Sequence, residues 1–326
     1  MKCIITGGAG FIGSNLAGKL VELGHKVIVI DNLSTGRKKN LKKIIKKIKF
    51  VNHDISIDSK KFEKLFYNVD WVFHLAGLAD IVPSIKNPKK YFQSNVRGIL
   101  NVINASKDKN VKKLIYAASA SCYGIPKKFP TNENSKIDTR YPYALTKYLG
   151  EKLVLDWFKI YKAKNVSLRF FNVYGPKSRT TGAYGAVFGV FLTQKLFNKP
   201  LTIVGNGKQT RDFVHVYDLV SGLIKAAQKS KPGKIYNIGG GKEVSVNYIA
   251  KLIGGKKIYI PKRPGEPDRS LACIKKINKE LNWNPKISIE KGVRELLKNK
   301  NHWSDAPLWT PKKIQEATKE WFKYLK

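Results

Sequence analysis

The chain has 326 residues, 42% of them hydrophobic, enough to bury a large core in one α/β domain or two unequal lobes. Its net charge of +39 rests on 62 basic residues of which only nine are Arg, with Lys spread from end to end, so a nucleic-acid partner, which favours clustered charge and bidentate Arg, is not expected. No apolar run approaches the ~18 residues of a membrane span, and the three scattered Cys lack metal or disulfide spacing, so a cytoplasmic protein with no membrane insertion and no metal is expected.

Residues 2–6 are a short apolar run, Gly7-Gly-Ala-Gly10-Phe-Ile-Gly13 follows, and residues 14–23 carry apolar side chains at helical spacing. This predicts strand, glycine turn and helix, with backbone N–H groups at the helix N-terminus free to meet a pyrophosphate. A second strand, 26–30, runs into Asp31, where an acid can accept hydrogen bonds from both adenosine ribose hydroxyls and disfavours a 2′-phosphate. The expected cofactor is NAD rather than NADP. Its candidate contacts are Gly7, Gly10, Phe11, Ile12, Gly13, Asp31, Asn32, Ser34, Thr35 and Gly36.

Residues 49–51 read as a third strand closing on His53-Asp54, 59–66 as a crossover helix, and 71–75 as a continuous apolar strand. A single long helix is predicted over 88–106, then a strand over 114–118 that leads directly to Ser119. Strands alternating with helices imply a doubly wound parallel sheet, whose ligands sit beyond the C-terminal strand ends. Asp54, Ile55, Leu75, Ala76, Gly77 and Asn95 therefore join the cofactor candidates, while His74 is read as structural.

The next predicted helix, 142–161, starts with Pro142-Tyr-Ala-Leu-Thr-Lys147. Tyr143 and Lys147, four apart, share one helical face, and an ammonium group beside a phenol favours the phenolate, which can act as a general base. A lone Tyr-x-x-x-Lys is weak, but here a nucleotide site and Ser119 converge on it from separate segments. Residues 166–171 form another strand, with Asn172-Val-Tyr-Gly-Pro176 as the turn beyond it. The alternation then loosens. A Gly/Thr loop is expected at 179–184, a helix at 185–197, strands at 201–204 and 213–216, a helix at 217–228 and a last sheet strand at 235–238. A helix at 246–253, a strand at 257–260, a loop at 261–269 and an aromatic-anchored terminal helix at 311–324 follow. The expected division is 1–175 for the dinucleotide-binding domain, with 212–240 contributing back to it, and 176–326 mainly for the substrate lobe, whose loop cations are Arg211 and Arg263.

Six ordered motifs, from Thr6-Gly-Gly-Ala-Gly-Phe-Ile-Gly13 through Ser119-Ala-Ser-Cys-Tyr-Gly124 and Tyr143-x-x-x-Lys147 to Arg169-Phe-Phe-Asn-Val-Tyr-Gly-Pro176 and Arg211-Asp-Phe-Val-His-Val, resemble the extended short-chain dehydrogenase/reductase family, specifically its nucleotide-sugar epimerases and dehydratases. The resemblance covers nearly the whole chain. It implies a Rossmann-type sheet with a smaller C-terminal substrate lobe, tightly held NAD, a nucleotide-diphosphate sugar as substrate, and a homodimer packed through helices matching 88–106 and 142–161. It further implies that Tyr143 takes the proton of a sugar hydroxyl at C4, Lys147 holds the nicotinamide ribose, and Ser119 bonds the reacting oxygen. Ser121 would face the substrate, and Asn172, Arg211 and Arg263 would grip its diphosphate. Ser270 would sit beside the C2 substituent. Dehydratases of the family carry Asp-Glu where this chain has Ala120-Ser121, so a UDP-glucose 4-epimerase-like activity fits best. A C4 dehydrogenase, a 4,6-dehydratase and a non-catalytic NAD-binding protein remain as alternatives. Cys273, where many relatives have Asp, and the tail around Asp305-Ala-Pro-Leu-Trp309 depart from the common pattern.

Overall fold

The structure is a computed structural model that describes residues 1–178 and 187–325. Its strands, in chain order, are β1 (Lys2–Thr6), β2 (Lys26–Asp31), β3 (Ile48–Asn52), β4 (Trp71–His74), β5 (Lys113–Ser119), β6 (Asn165–Phe170), β7 (Asn172–Tyr174), β8 (Leu201–Val204), β9 (Thr210–His215), β10 (Ile235–Ile238), β11 (Glu243–Ser245) and β12 (Lys257–Ile260). Seven of them form one sheet, in the order β10-β6-β5-β4-β1-β2-β3, with every neighbouring pair parallel. Because side chains alternate along a strand, each apolar run supplies both faces. Ile5, Val29, Phe73, Ile115 and Leu168 fall in one buried cluster, and Ile4, Ile28, Val72, Leu114 and Tyr116 in another.

The strand order reverses between β1 and β4, and a crevice opens there at the C-terminal strand ends. Thr6, Asp31, His74 and Ser119 are the last residues of their strands, so the segments that follow them meet at this crevice. The second lobe is built on two small sheets, β11-β9-β7 and β12-β8, around a separate core that includes Tyr174, Phe191, Leu201, Ile249, Trp303 and Ile314. Asp212 of β9 ties it to the main sheet. Its carboxylate accepts from Gly240 N, from Gly241 N at 3.0 Å and from Ala272 N at 2.9 Å, and burial raises its pKa to about 6 against those bonds.

Two expectations are corrected, and two helices were missed. The stretch 88–106 is not one regular helix. It runs as Pro88–Phe92, a π-helical turn Gln93–Arg97, and Gly98–Asp108. The wide turn lets buried Asn95 hold two segments at once: it accepts from Leu78 N at 2.8 Å and donates to Leu78 O and Thr146 Oγ1, each at 3.0 Å. Asn172 opens a strand rather than a turn, because β9 supplies a parallel partner in register from Asn172 with Phe213 to Tyr174 with His215. Helices Lys275–Leu281 and Ile289–Lys298 were not anticipated, being short and Lys-rich, and their buried residues Ile277, Leu281, Val293 and Leu296 fill the cores from outside. The loop expected at 179–184 lies outside the described residues.

The helix Pro142–Tyr161 crosses β5 closely. A Cβ added at Gly150 would come within 2.3 Å of the Tyr116 hydroxyl and 2.9 Å of its Cζ. Tyr116 in turn donates to the backbone carbonyl of Lys147 at 3.0 Å. Gly150→Ala is therefore expected to destabilise the protein by about 1–3 kcal/mol through overpacking, as measured by urea unfolding.

Candidate active site

The glycine turn is built by close approach. A Cβ on Gly7, whose φ is +70°, would lie 2.7 Å from the backbone of Ala76, and one on Gly13 would lie 2.2 Å from the Gly7 carbonyl. These contacts bring the Ala76-Gly77 segment and the N-terminus of the helix Phe11–Glu22 against one cavity of about 350 Å³. The cavity is lined by Gly7, Gly10, Phe11, Ile12, Gly13, Asp31, Asn32, Ser34, Thr35, Asp54, Ile55, Leu75, Ala76 and Gly77, fourteen of the residues expected to meet a cofactor. Gly36 lies behind it, where a Cβ would meet the Asp31 carboxylate at 2.7 Å, and Asn95 acts one layer back by holding Leu78.

Asp31 is oriented by the turn it faces. It accepts from Ala9 N at 2.9 Å and Leu33 N at 2.8 Å, and its burial raises its pKa despite these bonds. Burial also opposes the charge on Asp54, but bonds from the Ser56 N–H and hydroxyl and from the Asn32 amide hold it below the usual range. A concave apolar cavity, a glycine cradle that added Cβ atoms would fill, and an oriented acid at the end of β2 fit an adenine dinucleotide.

At the next strand end, Ser119 caps the turn Ala120–Tyr123 and hydrogen-bonds the Tyr143 hydroxyl. The Tyr143 backbone N–H is itself fixed by Ser84 Oγ at 3.1 Å, and Thr146 bonds the Tyr143 carbonyl at 2.9 Å. Lys147 is buried one turn on, with Nζ 4.5 Å from the centre of the Tyr116 ring, and a Cβ on Gly77 would lie 3.9 Å from that Nζ. The electrostatics differ from the simple phenol-ammonium pair expected from the spacing. Burial raises the Tyr143 pKa, and the bond from Ser119 opposes it. Burial likewise brings Lys147 down to about 7, against the pull of Glu151. Glu151 is already engaged, in a 2.6 Å ion pair with buried Arg169 and a 2.8 Å bond from Ser167. His74 bonds Thr6 at 2.8 Å and stacks on Tyr116, and burial lowers its pKa to about 3, the neutral structural His expected.

A second cavity of about 120 Å³ brings Asn172, Arg211 and Arg263 together with Glu266 and Ile314. Arg211 pairs with Glu266 at 2.6 Å and Arg263 pairs with it at 3.7 Å. Glu266 was missed in the sequence, although its i,i+3 position after Arg263 in a Pro/Gly loop was visible. Tyr141 and Trp321 were missed too: Tyr141 stacks parallel to Tyr143, and Trp321 packs beyond it, each at 6.4 Å between ring centres. Ser270 stands apart from this lining, between Arg269, which pairs with Glu243 at 2.7 Å, and Leu271, whose carbonyl accepts from Thr131. Among the described residues no His, Cys, Asp or Glu cluster could hold a metal ion, and no helix is long and apolar enough to cross a membrane.

Residues 3–239 match the model of the NAD dependent epimerase/dehydratase family. The chain belongs to that family. A putative UDP-glucose 4-epimerase of Methanocaldococcus jannaschii is 37% identical over 309 residues, covering 91% of this chain and 99% of its own. The UDP-glucose 4-epimerase of Thermotoga maritima, solved with UDP-glucose, is 33% identical with a TM-score of 0.85, covering 91% and 98% of the two chains. A Bacillus cereus UDP-glucuronic acid 4-epimerase variant, solved with a substrate analogue and NAD, is 30% identical with a TM-score of 0.85 over 94% and 99%. NAD is the cofactor of this epimerase family, and the cavity lined by the glycine turn and Asp31 fits it.

The depressed Lys147 pKa has a sign that can be checked. Between the ordinary value of 10.5 and about 7 the unfolded chain binds a proton that the folded chain does not, so the Lys costs stability progressively as pH falls through that window. Lys147→Met is expected to gain stability over the parent protein as pH is lowered towards neutrality, with the gap levelling off once both forms of Lys147 are protonated. Urea unfolding of both proteins across the alkaline range measures it.

Proposed function

We propose that the protein is an NAD-dependent 4-epimerase of nucleotide-diphosphate sugars, of the UDP-glucose or UDP-N-acetylglucosamine class. What carries this is the Ser119–Tyr143 hydroxyl pair, followed by two residues, Ala120 and Ser121, that lack acidic groups, in a chain that also has a cavity lined by the glycine turn and Asp31 and another that holds Arg211 and Arg263.

In this mechanism Tyr143 takes the proton from the sugar C4 hydroxyl while Ser119 donates to the reacting oxygen and holds it in place. NAD, when bound, takes up the C4 hydride, gives it back, and contributes the positive charge of its nicotinamide. Lys147 and that charge favour the phenolate that burial alone disfavours. The resulting 4-keto sugar turns over in the site and is reduced on its other face, and Tyr143 returns the proton. Elimination would need an acid and a base at C5 and C6. Ala120 has no such group, and the Ser121 hydroxyl is bonded to Ser119 at 2.8 Å.

Asn172, Arg211 and Arg263 take the nucleotide diphosphate, whose roughly two negative charges displace Glu266 from the two guanidinium groups. By the family resemblance Ser270, a small residue beside the C2 substituent, admits an N-acetyl group, although it stands outside the lining of the cation-lined cavity. Residues 1–175 with 212–240 form the cofactor domain in this proposal, and 176–326 mainly the substrate lobe. The family resemblance favours a cytoplasmic homodimer that supplies sugars for polysaccharide biosynthesis.

Following nucleotide-sugar products by NMR tests the reaction. UDP-glucose or UDP-N-acetylglucosamine is expected to equilibrate with its C4 epimer without net NADH, whereas a stable keto product with stoichiometric NADH would make the protein a dehydrogenase instead. Tyr143→Phe is expected to lose about 10²–10⁴-fold in kcat, and a loss below tenfold would remove Tyr143 as the base. Arg211→Ala should raise KM by roughly 10- to 100-fold, the worth of a charge-assisted hydrogen bond, with a smaller effect on kcat.

A further inference from the structure

The last helix of the chain, Pro311–Tyr324, lies beyond residue 239, where the family match ends. Its inward residues recur at helical spacing: Ile314, Thr318 and Trp321 are buried, and Leu325 continues the stripe just past the helix end. This one face touches both lobes. Ile314 belongs to the second-lobe core and lines the cavity that holds Asn172, Arg211 and Arg263. Trp321 and Leu325 share a buried cluster with Val82 of the helix Ile81–Lys86 in the first lobe.

Three successive residues of the loop 261–269 meet the end of this helix. The Arg263 guanidinium lies over the Trp321 ring, with Cζ 5.7 Å from the ring centre. The Pro264 carbonyl accepts from the Trp321 indole N–H at 2.5 Å. Gly265, at a φ of +67°, brings its backbone so close to the tail that a Cβ there would lie 2.6 Å from the Leu325 carbonyl. The ring restricts the plane of the guanidinium and the hydrogen bond restricts the backbone beside it, so together they direct the Arg263 donors. Arg211 is set from its own strand instead, donating to the Thr210 carbonyl at 2.8 Å and pairing with Glu266 at 2.6 Å.

We propose that Trp321 is a positioning residue for the diphosphate site, holding Arg263 and the loop that carries it where the guanidinium meets the phosphates. This deepens the functional reading above and rests on that cavity being the diphosphate site. A cation already held in place loses little conformational freedom when its ligand arrives, so the helix raises affinity without touching the phosphates. The same ring packs on Tyr141 at 6.4 Å, which ties the loop to the segment leading into Tyr143.

The test compares the holoenzyme with Trp321→Phe, Trp321→Leu, Arg263→Ala and the double variant Trp321→Phe/Arg263→Ala. It measures kcat and KM with UDP-glucose or UDP-N-acetylglucosamine, and the Kd of UDP and of uridine by ligand NMR titration. Trp321→Phe keeps an aromatic face and removes the indole donor, whereas Trp321→Leu removes both. KM and the Kd of UDP are expected to rise roughly 3- to 10-fold in the first and roughly 10- to 30-fold in the second. The change in kcat should stay within about threefold, since what is lost is binding common to substrate and transition state. Uridine, which carries no phosphate, should bind every variant as it binds the parent. In the Arg263→Ala background Trp321→Phe should add less than about twofold, because both changes act through one group. Trp321→Phe decides alone if Trp321→Leu does not fold. Equal losses for UDP and uridine, a fall in kcat at unchanged KM, additive effects in the double variant, or UDP binding unmoved in Trp321→Phe would each overturn the proposal. UDP binding unmoved in Arg263→Ala would instead overturn the reading of the cavity as the diphosphate site.

Discussion

The contact between Gly150 and Tyr116 sets how deeply the helix Pro142–Tyr161 can sit on β5, and most of the site depends on that depth. Tyr116 fills the space a Cβ would take, bonds the Lys147 carbonyl, and places its ring face under the Lys147 ammonium. One turn below, the same helix is held by the buried pair of Glu151 with Arg169, in which Arg169 Nε and Nη2 both reach the carboxylate. Arg169 Nη1 goes on to the Tyr123 hydroxyl at 2.8 Å, tying in the turn that follows Ser119. A pair of this kind adds little net stability against an apolar alternative, but it admits few geometries, and breaking it would leave a charge buried. Its position beneath the helix is consistent with a part in registering Tyr143 against Ser119.

Depth has an electrostatic cost, and the chemistry makes use of it. A buried phenol resists ionisation and a buried ammonium resists protonation, so Tyr143 and Lys147 are each pushed away from the charge state that an isolated pair would favour. The site is therefore poised to respond to charge brought in by its ligands. In the cation-lined cavity Glu266 keeps Arg211 and Arg263 together and compensates their charge.

The two lobes are joined at both ends of the second lobe. Asp212 binds the glycines after β10 and the backbone of Ala272, and the terminal helix brings Trp321 against Tyr141 on one side and Pro264 on the other. Of the large excess of Lys, Lys39 reaches Asp305 at 3.4 Å and Lys177 reaches the Ser14 carbonyl at 3.3 Å across the lobes. Lys side chains lie mainly on the surface, where isolated ion pairs such as Lys19 with Glu22 contribute little.

Local sequence determined the sheet and the cofactor cradle, because both rest on short-range rules. Apolar runs alternating with amphipathic helices specify a parallel sheet, and Gly7, Gly10, Gly13 and Asp31 lie within one strand-turn-helix-strand unit. The terminal helix was equally legible, from Pro311 at its start to its aromatic anchors. Only the tertiary structure decided what joins segments distant in the chain. The strand pairing of Asn172 required β9, forty residues on, and the π-turn at Asn95 required Leu78 and Thr146 as partners. The shifts at Tyr143 and Lys147 could not be read from their spacing of four, since spacing gives proximity whereas burial, set by the whole fold, decides the cost of charge. Glu266, Tyr141 and Trp321 escaped notice for the same reason: each acts through neighbours that the sequence places far away and the fold brings into contact.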